Sequence, residues 1–197
     1  MSTRTSARMT AGQRREQLLD VAKAIVAEGG FHAVSIEGLA REAGISRPIV
    51  YGHFRDLPGV LEALIAREGA RALGQLAGVL PAALAEPDPD ERLVQALGGY
   101  LAAVRDDPDT WRLVLMPQEG APRMLHDQIA RGRGAVVEQL AAALEPAATP
   151  DPELAARLMS AVADEAARLM LADPGRYPRE RILELARWFL RGAVPRV

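Results

Sequence analysis

Apolar side chains recur along this chain every three to four residues, the spacing that places them on one face of a helix. The first such stripe, Leu18, Ala22, Ile25 and Val26, follows Thr10 and Gln13, which stand at capping-box spacing, and ends at Gly29-Gly30. A second begins after Ser35, a natural N-cap, with Ile36, Leu39, Ala40 and Ala43, and stops at Gly44. Ser46 can cap a third helix over Arg47–Phe54, with Pro48 in its first turn, where a missing N–H costs nothing. Asp56 can cap a long fourth helix from Leu57-Pro58, with Leu61, Leu64, Ile65, Leu73, Leu76 and Leu80 on its apolar side; Pro81 should end or kink it. Glu86-Pro87-Asp88-Pro89-Asp90 reads as a linker.

Five more helices are expected beyond it: Leu93–Val104, Asp109–Met116, Met124–Leu144, Leu154–Leu171 and Pro178–Leu190, separated by proline-bearing breaks. No segment has the alternation of a strand. The pattern predicts an all-α chain of about nine helices.

Within it, Ser35–Phe54 is two short helices joined by a tight turn. Ala40 and Gly44, four apart, are small where two helices meeting at a steep angle approach most closely, and Ile45 and Val50 can plug the angle. This is a helix-turn-helix pattern. Its second helix would lie in the DNA major groove with its N-terminal residues nearest the base edges. Arg47 can donate to guanine or phosphate, while Tyr51 and His53 offer polar tips on apolar bodies. The same pattern also describes an ordinary packing hairpin in a helical protein.

Composition narrows the choice. Of 197 residues, 49% are hydrophobic and 25% charged, a globular balance. With no cysteine there can be no disulfide, thiolate metal site or cysteine nucleophile, which fits a cytoplasmic protein. The N-terminal stretch MSTRTSARMTAGQRREQ is basic without an apolar core, unlike a signal peptide. The longest uncharged run, Ala72–Ala85, is too short to span a bilayer, so no membrane partner is expected. The net charge of −2 is unevenly spread: residues 1–55 hold eight basic and five acidic groups, which leaves the remainder at −5. A basic head on an acidic body suits a phosphate-binding module joined to a part that does not bind DNA.

The run Gly44-Ile45-Ser46-Arg47-Pro48-Ile49-Val50-Tyr51-Gly52-His53-Phe54 resembles the recognition-helix signature of TetR-family transcriptional regulators. The helix before Gly30-Phe31 and the entry Val34-Ser35-Ile36 match that family too, so that the close resemblance covers about residues 12–64. It implies a three-helix DNA-binding domain over residues 1–55, followed by a ligand-binding and dimerisation domain over 56–197. It further implies contacts to a double-stranded operator from Ser35, Ser46, Arg47, Pro48, Ile49, Tyr51 and His53, with Tyr51 and His53 on phosphates. One position departs from the family: a lysine that commonly contacts phosphate is here Leu57.

The last two predicted helices carry more apolar surface than a small body can hide. Leu154, Leu158, Val162, Leu169, Ile182, Leu185 and Phe189 are either the core of a buried helix or, as the resemblance implies, the interface of a homodimer. A ligand pocket is implied in the body, and the polar, aromatic or methionine handles available to it are Tyr100, Trp111, Met116, Gln118, Met124, His126, Gln128 and Asp164. Met-rich apolar linings adapt to varied hydrophobic molecules, which suggests a small, largely apolar effector. Catalysis is not expected. His32, His53 and His126 lack metal-ligand spacing, there is no G-x-S-x-G, and Gly132-Arg133-Gly134 lacks both a preceding strand and a third glycine. No cofactor is expected. Two readings follow: a ligand-responsive transcriptional regulator, a repressor if it follows the tendency of the family it resembles, or a helical protein–protein interaction module with no role on DNA. Salt-dependent binding to duplex DNA separates them.

Overall fold

A computed structural model describes residues 9–116, 121–144 and 149–191 of the chain. Among these the secondary structure is helical, in two compact units. Of the described residues, the first holds 9–67 together with 121–124, and the second holds 68–116, 125–144 and 149–191.

In the first unit, α1 (Ala11–Gly29) opens on the expected capping box: the Thr10 hydroxyl accepts from the Gln13 N–H at 3.2 Å, and the Gln13 side chain accepts from the Thr10 N–H at 2.9 Å. A single 3-10 turn, Phe31–Ala33, leads to α2 (Ile36–Glu42), whose first turn is closed by the Ser35 hydroxyl accepting from Gly38 N–H at 3.0 Å. The chain then turns into α3 (Arg47–His53). Ile45 N–H bonds the Ala40 carbonyl at 2.9 Å and Gly44 N–H the Arg41 carbonyl at 3.2 Å, the paired bonds of a Schellman stop. That stop needs a left-handed residue, and Gly44 supplies it at φ 66°. Ser46 precedes α3 but makes no side-chain cap, contrary to expectation; Pro48 in the first turn lowers the number of N–H groups that need one.

Leu18, Leu19, Ala22, Val26, Phe31 and Leu39 form a buried interior, and Val50 of α3 and Phe54, the residue that closes it, are buried too. At about 1.5–3 kcal/mol for each large side chain, burying Val50 and Phe54 is enough to fix which face of the short α3 points inward. Arg15 of α1 reinforces this, donating to the His53 carbonyl at 2.9 Å with its guanidinium 4.3 Å from the Phe54 ring centroid. The unit runs past residue 55 into α4 (Leu57–Leu76) because Val60, Leu64 and Ile65 are buried and Arg67 pairs with Glu16 (3.0 Å) and Asp20 (2.8 Å) of α1. Asp56 caps α4 as expected, accepting from Gly59 N–H at 2.8 Å.

Gly44→Ala should therefore destabilise the protein by about 1–2 kcal/mol, the cost of a Cβ in the left-handed region. Gly74→Ala, in the exposed body of α4 with nothing near the added methyl, should do the opposite by up to about 1 kcal/mol. Urea melts followed by circular dichroism check both signs; a Gly44→Ala protein as stable as the wild type would contradict the turn geometry.

In the second unit the helix expected to run to Pro81 stops earlier. α4 ends at Leu76, and Pro81 sits in the first turn of a short separate helix, α5 (Val79–Leu84), where its missing N–H breaks no helical bond. The expected linker is also shorter: Asp88 caps, and Pro89 begins, α6 (Pro89–Asp106). α7 (Pro108–Leu115), α8 (Arg123–Leu144), α9 (Pro152–Ala172) and α10 (Arg179–Leu190) lie within a few residues of expectation. α6 is the hub, packed by α5, α7, α9 and α10. Two glycines let neighbours approach it: a Cβ at Gly98 would come within 3.0 Å of the Arg179 guanidinium, and one at Gly99 within 2.9 Å of Val79. Val94, Leu101, Val104, Trp111, Leu115, Ala167, Met170, Leu171 and Leu183 make the core.

Candidate nucleic-acid interface

The faces of α3 divide cleanly. Val50 is fully buried, while Ser46, Arg47, Pro48, Ile49, Tyr51 and Gly52 are exposed and His53 is half-buried. A seven-residue helix cannot hide both sides, and the exposed side is the one that carries hydrogen-bonding groups. Ile49 and Tyr51 are unusually open for their size, at 44% and 54% exposure. An apolar side chain left out on such a surface can meet a thymine methyl, and a phenol can donate to a phosphate oxygen. Ser35, by contrast, is half-buried, with its hydroxyl engaged in capping α2.

Arg47 is not isolated. Its Nη1 donates to Glu37 Oε1 at 2.7 Å, joining the start of α3 to the first turn of α2. The Arg47 hydrogen bond in turn holds the Glu37 carboxyl below its ordinary value. The two residues are ten apart on different helices, so the apolar periodicity carried no sign of this pair. Leu57, at the first position of α4, is half-buried.

The residues expected to hold a ligand fall into several groups. Tyr100 and Trp111 meet edge to face, with ring centroids 5.2 Å apart. The Tyr100 hydroxyl donates to Asp164 Oδ1 at 2.9 Å, and Arg133, absent from the expected set, donates to Asp164 Oδ2 at 2.6 Å. Burial and then the Asp164 charge push the Tyr100 phenol far above its ordinary value. Trp111 is a core anchor whose indole N–H donates to Gln75 at 2.7 Å. Beside it lies a buried polar cluster that sequence reasoning missed. The Thr110 hydroxyl bonds Glu68 and Asp107, and Asp107 also accepts from Gln75 at 3.0 Å and pairs with Arg71 at 2.5 Å. Glu68 is 2% exposed. Only its position on the apolar side of α4 hinted at that. Gln128 lies against Gly69, whereas Met116, Met124 and His126 are exposed. Gln118 lies outside the described residues.

On α9 and α10 the large apolar residues divide by face. Leu154, Leu158 and Val162, at four-residue spacing, are 52%, 59% and 68% exposed, and Leu185 and Phe189 are 54% and 58% exposed. Trp188 is equally open and meets Phe189 edge to face at 5.1 Å. Leu169 is half-buried, and Ile182 packs partly against the core. Among the described residues no helix is long and apolar enough to cross a membrane.

Comparison with known proteins agrees with this layout. Residues 18–64 match the family of bacterial regulatory proteins, tetR family, and residues 89–193 match the tetracyclin repressor-like C-terminal domain. The HTH-type transcriptional regulator BetI of Yersinia pestis (strain Pestoides F) is 42% identical over 80 residues, 41% of this chain and 40% of that protein. The HTH-type transcriptional activator FasR of Mycolicibacterium smegmatis is 29% identical over 107 residues, 54% of this chain and 48% of that one. The chain thus matches less than half the length of each. Solved structures match over far more: a TetR-like transcriptional regulator from Rhodococcus sp. RHA1 has a TM-score of 0.69 at 26% identity, covering 94% of this chain and all of that one. The fatty acid degradation regulator FadR from Bacillus halodurans has 0.71 at 17% identity, covering 95% and 99%. With a helix-turn-helix head, a helical body and a family match to each, the chain belongs to the TetR family of transcriptional regulators.

Proposed function

We propose that the chain acts as a homodimer that reads a palindromic operator through α3 and releases it when a small, largely apolar effector binds the helical body. The observation that carries the DNA half is the division of α3: Val50 and Phe54 inward, and Arg47, Pro48, Ile49 and Tyr51 outward. In this reading residues 1–55 form the DNA-binding domain and 56–197 the effector and dimer domain. Ser46, Arg47, Pro48 and Ile49 approach bases; Tyr51 and His53 hold phosphates; Ser35 sets the start of α2 beside the backbone. Two heads roughly 34–36 Å apart, one turn of DNA, would meet the two half-sites of a palindrome.

The dimer reading is supported by the exposure of Leu154, Leu158 and Val162 on α9 and of Leu185 and Phe189 on α10; Leu169 and Ile182, the other two residues of the expected interface, are partly buried. The effector reading starts from Tyr100, which meets both Trp111 and Asp164 inside the second unit; Met116, Gln118, Met124, His126 and Gln128 enter it from the expected set alone. Another structure with this fold, FadR from Bacillus subtilis, was solved in complex with stearoyl-CoA, a long acyl ligand. Repression fits release by an effector, although FasR, which matches about half of this chain, is named an activator.

The test is binding to a duplex enriched from a random pool by the protein itself, titrated from 50 to 200 mM salt. A straight, steeply falling log K against log salt is expected, and no binding at 50 mM would overturn the DNA reading. Leu57→Lys extends this test. A lysine stem can lie where the half-buried leucine lies while its ammonium reaches out, so the fold should survive. Its charge should tighten binding and steepen the slope by about 0.9 per phosphate contact, or about 1.8 for a dimer. An unchanged slope in a folded variant would mean that the start of α4 does not meet the backbone.

A further inference from the structure

Glu37 lies on the face of the head that carries Arg47, an acid where phosphates must come close. Its side chain is 63% exposed and that of Arg47 is 61% exposed, so neither needs the other to escape burial. Yet Arg47 Nη1 and Glu37 Oε1 meet at 2.7 Å. Guanidinium carries five N–H groups in a rigid fork, so a carboxylate on Nη1 holds that edge of the fork and leaves other donors available. A free arginine at the head of α3 would fall on any phosphate within reach, since the attraction of DNA for cations is independent of sequence. An arginine already paired loses that advantage: a phosphate must displace the carboxylate and sit beside its negative charge. A guanine edge bears no net charge and offers two acceptors, O6 and N7, to the N–H groups that remain.

We propose that Glu37 is a specificity-determining residue, a positioning group that keeps Arg47 off phosphates and presents it to a base edge. This rests on the reading of Arg47 as the base-contacting residue of α3. The other acid of α2, Glu42, pairs with its neighbour Arg41 at 3.1 Å rather than with α3, and so provides a control for the simple loss of one negative charge.

The experiment compares the wild type, Glu37→Gln, Glu42→Gln, Arg47→Ala and Glu37→Gln/Arg47→Ala. Each is titrated with the enriched duplex and with a scrambled duplex of equal composition, from 50 to 200 mM salt, after a thermal melt has shown it folded. Glu37→Gln should narrow the ratio of enriched to scrambled affinity about two- to fivefold, the range of an exposed ion pair, chiefly by tightening the scrambled duplex. The slope on scrambled DNA should steepen by about 0.9 per subunit as Arg47 takes a phosphate. In the Arg47→Ala background the change should fall to that of Glu42→Gln. Glu37→Asp, which keeps the charge on a shorter arm, should recover part of the ratio. A Glu37→Gln protein no different from Glu42→Gln, or one whose effect survives without Arg47, overturns the role of Glu37. If Arg47→Ala narrows the ratio while Glu37→Gln does not, only this inference falls. If Arg47→Ala leaves the ratio unchanged, the base-reading role of Arg47 falls first.

Discussion

Leu158→Glu combined with Leu185→Glu should leave the protein monomeric or aggregated. The two leucines are more than half exposed on α9 and α10, as are Leu154 and Val162 of α9 and Trp188 and Phe189 of α10, and no other part of the described chain covers them. If a second copy covers them, each substitution appears twice, and four carboxylates would enter an apolar interface without partners. A buried, unpaired charge costs several kcal/mol, and each 1.4 kcal/mol is about a factor of ten in the dissociation constant. The dimer should therefore weaken by at least about two orders of magnitude, read by sedimentation velocity across a concentration series. Because both positions are exposed in one chain, the monomer fold should persist, with its helical circular dichroism intact. An unchanged dimer would rule out this face, and a wild type that sediments as monomer would remove the dimer altogether.

Arg47→Ala should narrow the gap between operator and unrelated DNA by about 1–3 kcal/mol for each half-site, if its guanine contact is bidentate. Tyr51→Phe should act differently. Removing a phosphate-bound hydroxyl lowers affinity for every duplex alike, so both binding curves shift together and the ratio holds. The side chains of Arg47 and Tyr51 are both exposed on α3, and neither substitution opens the Val50–Phe54 side that anchors the helix. Competition between the enriched and scrambled duplexes at one salt concentration reads the two outcomes. An Arg47→Ala protein that loses both affinities equally would make Arg47 a phosphate contact instead.

Much of this molecule is written in local spacing. Thr10 and Gln13 three residues apart, Ser35 ahead of Gly38, Asp56 ahead of Gly59 and Gly44 after a small-residue helix each need only a few neighbouring residues to act. Their capping bonds and the left-handed turn could be named before any tertiary structure was known. The recognition helix was legible for the same reason, since a turn signal and a short apolar face suffice to set its register. Pro81 lies in a first turn and not at a helix end; proline permits both local outcomes, and spacing alone does not choose between them.

What spacing cannot carry is the identity of a neighbour across the fold. Periodicity says which face of a helix is apolar, not which helix it meets. Glu37 met Arg47 across the turn, Arg133 met Asp164 across 31 residues, and Tyr100 met Asp164 across 64. Gly98 and Gly99 proved to be points of close approach only when α10 and α5 lay against α6. By itself, then, the sequence determined the α-helices other than α5, most of their ends, the helix-turn-helix and the excess of apolar residues on α9 and α10. Tertiary structure alone decided that this excess splits, with Leu183 turned to the core and Leu158 and Leu185 left outside, because exposure belongs to the packed arrangement and not to any one helix.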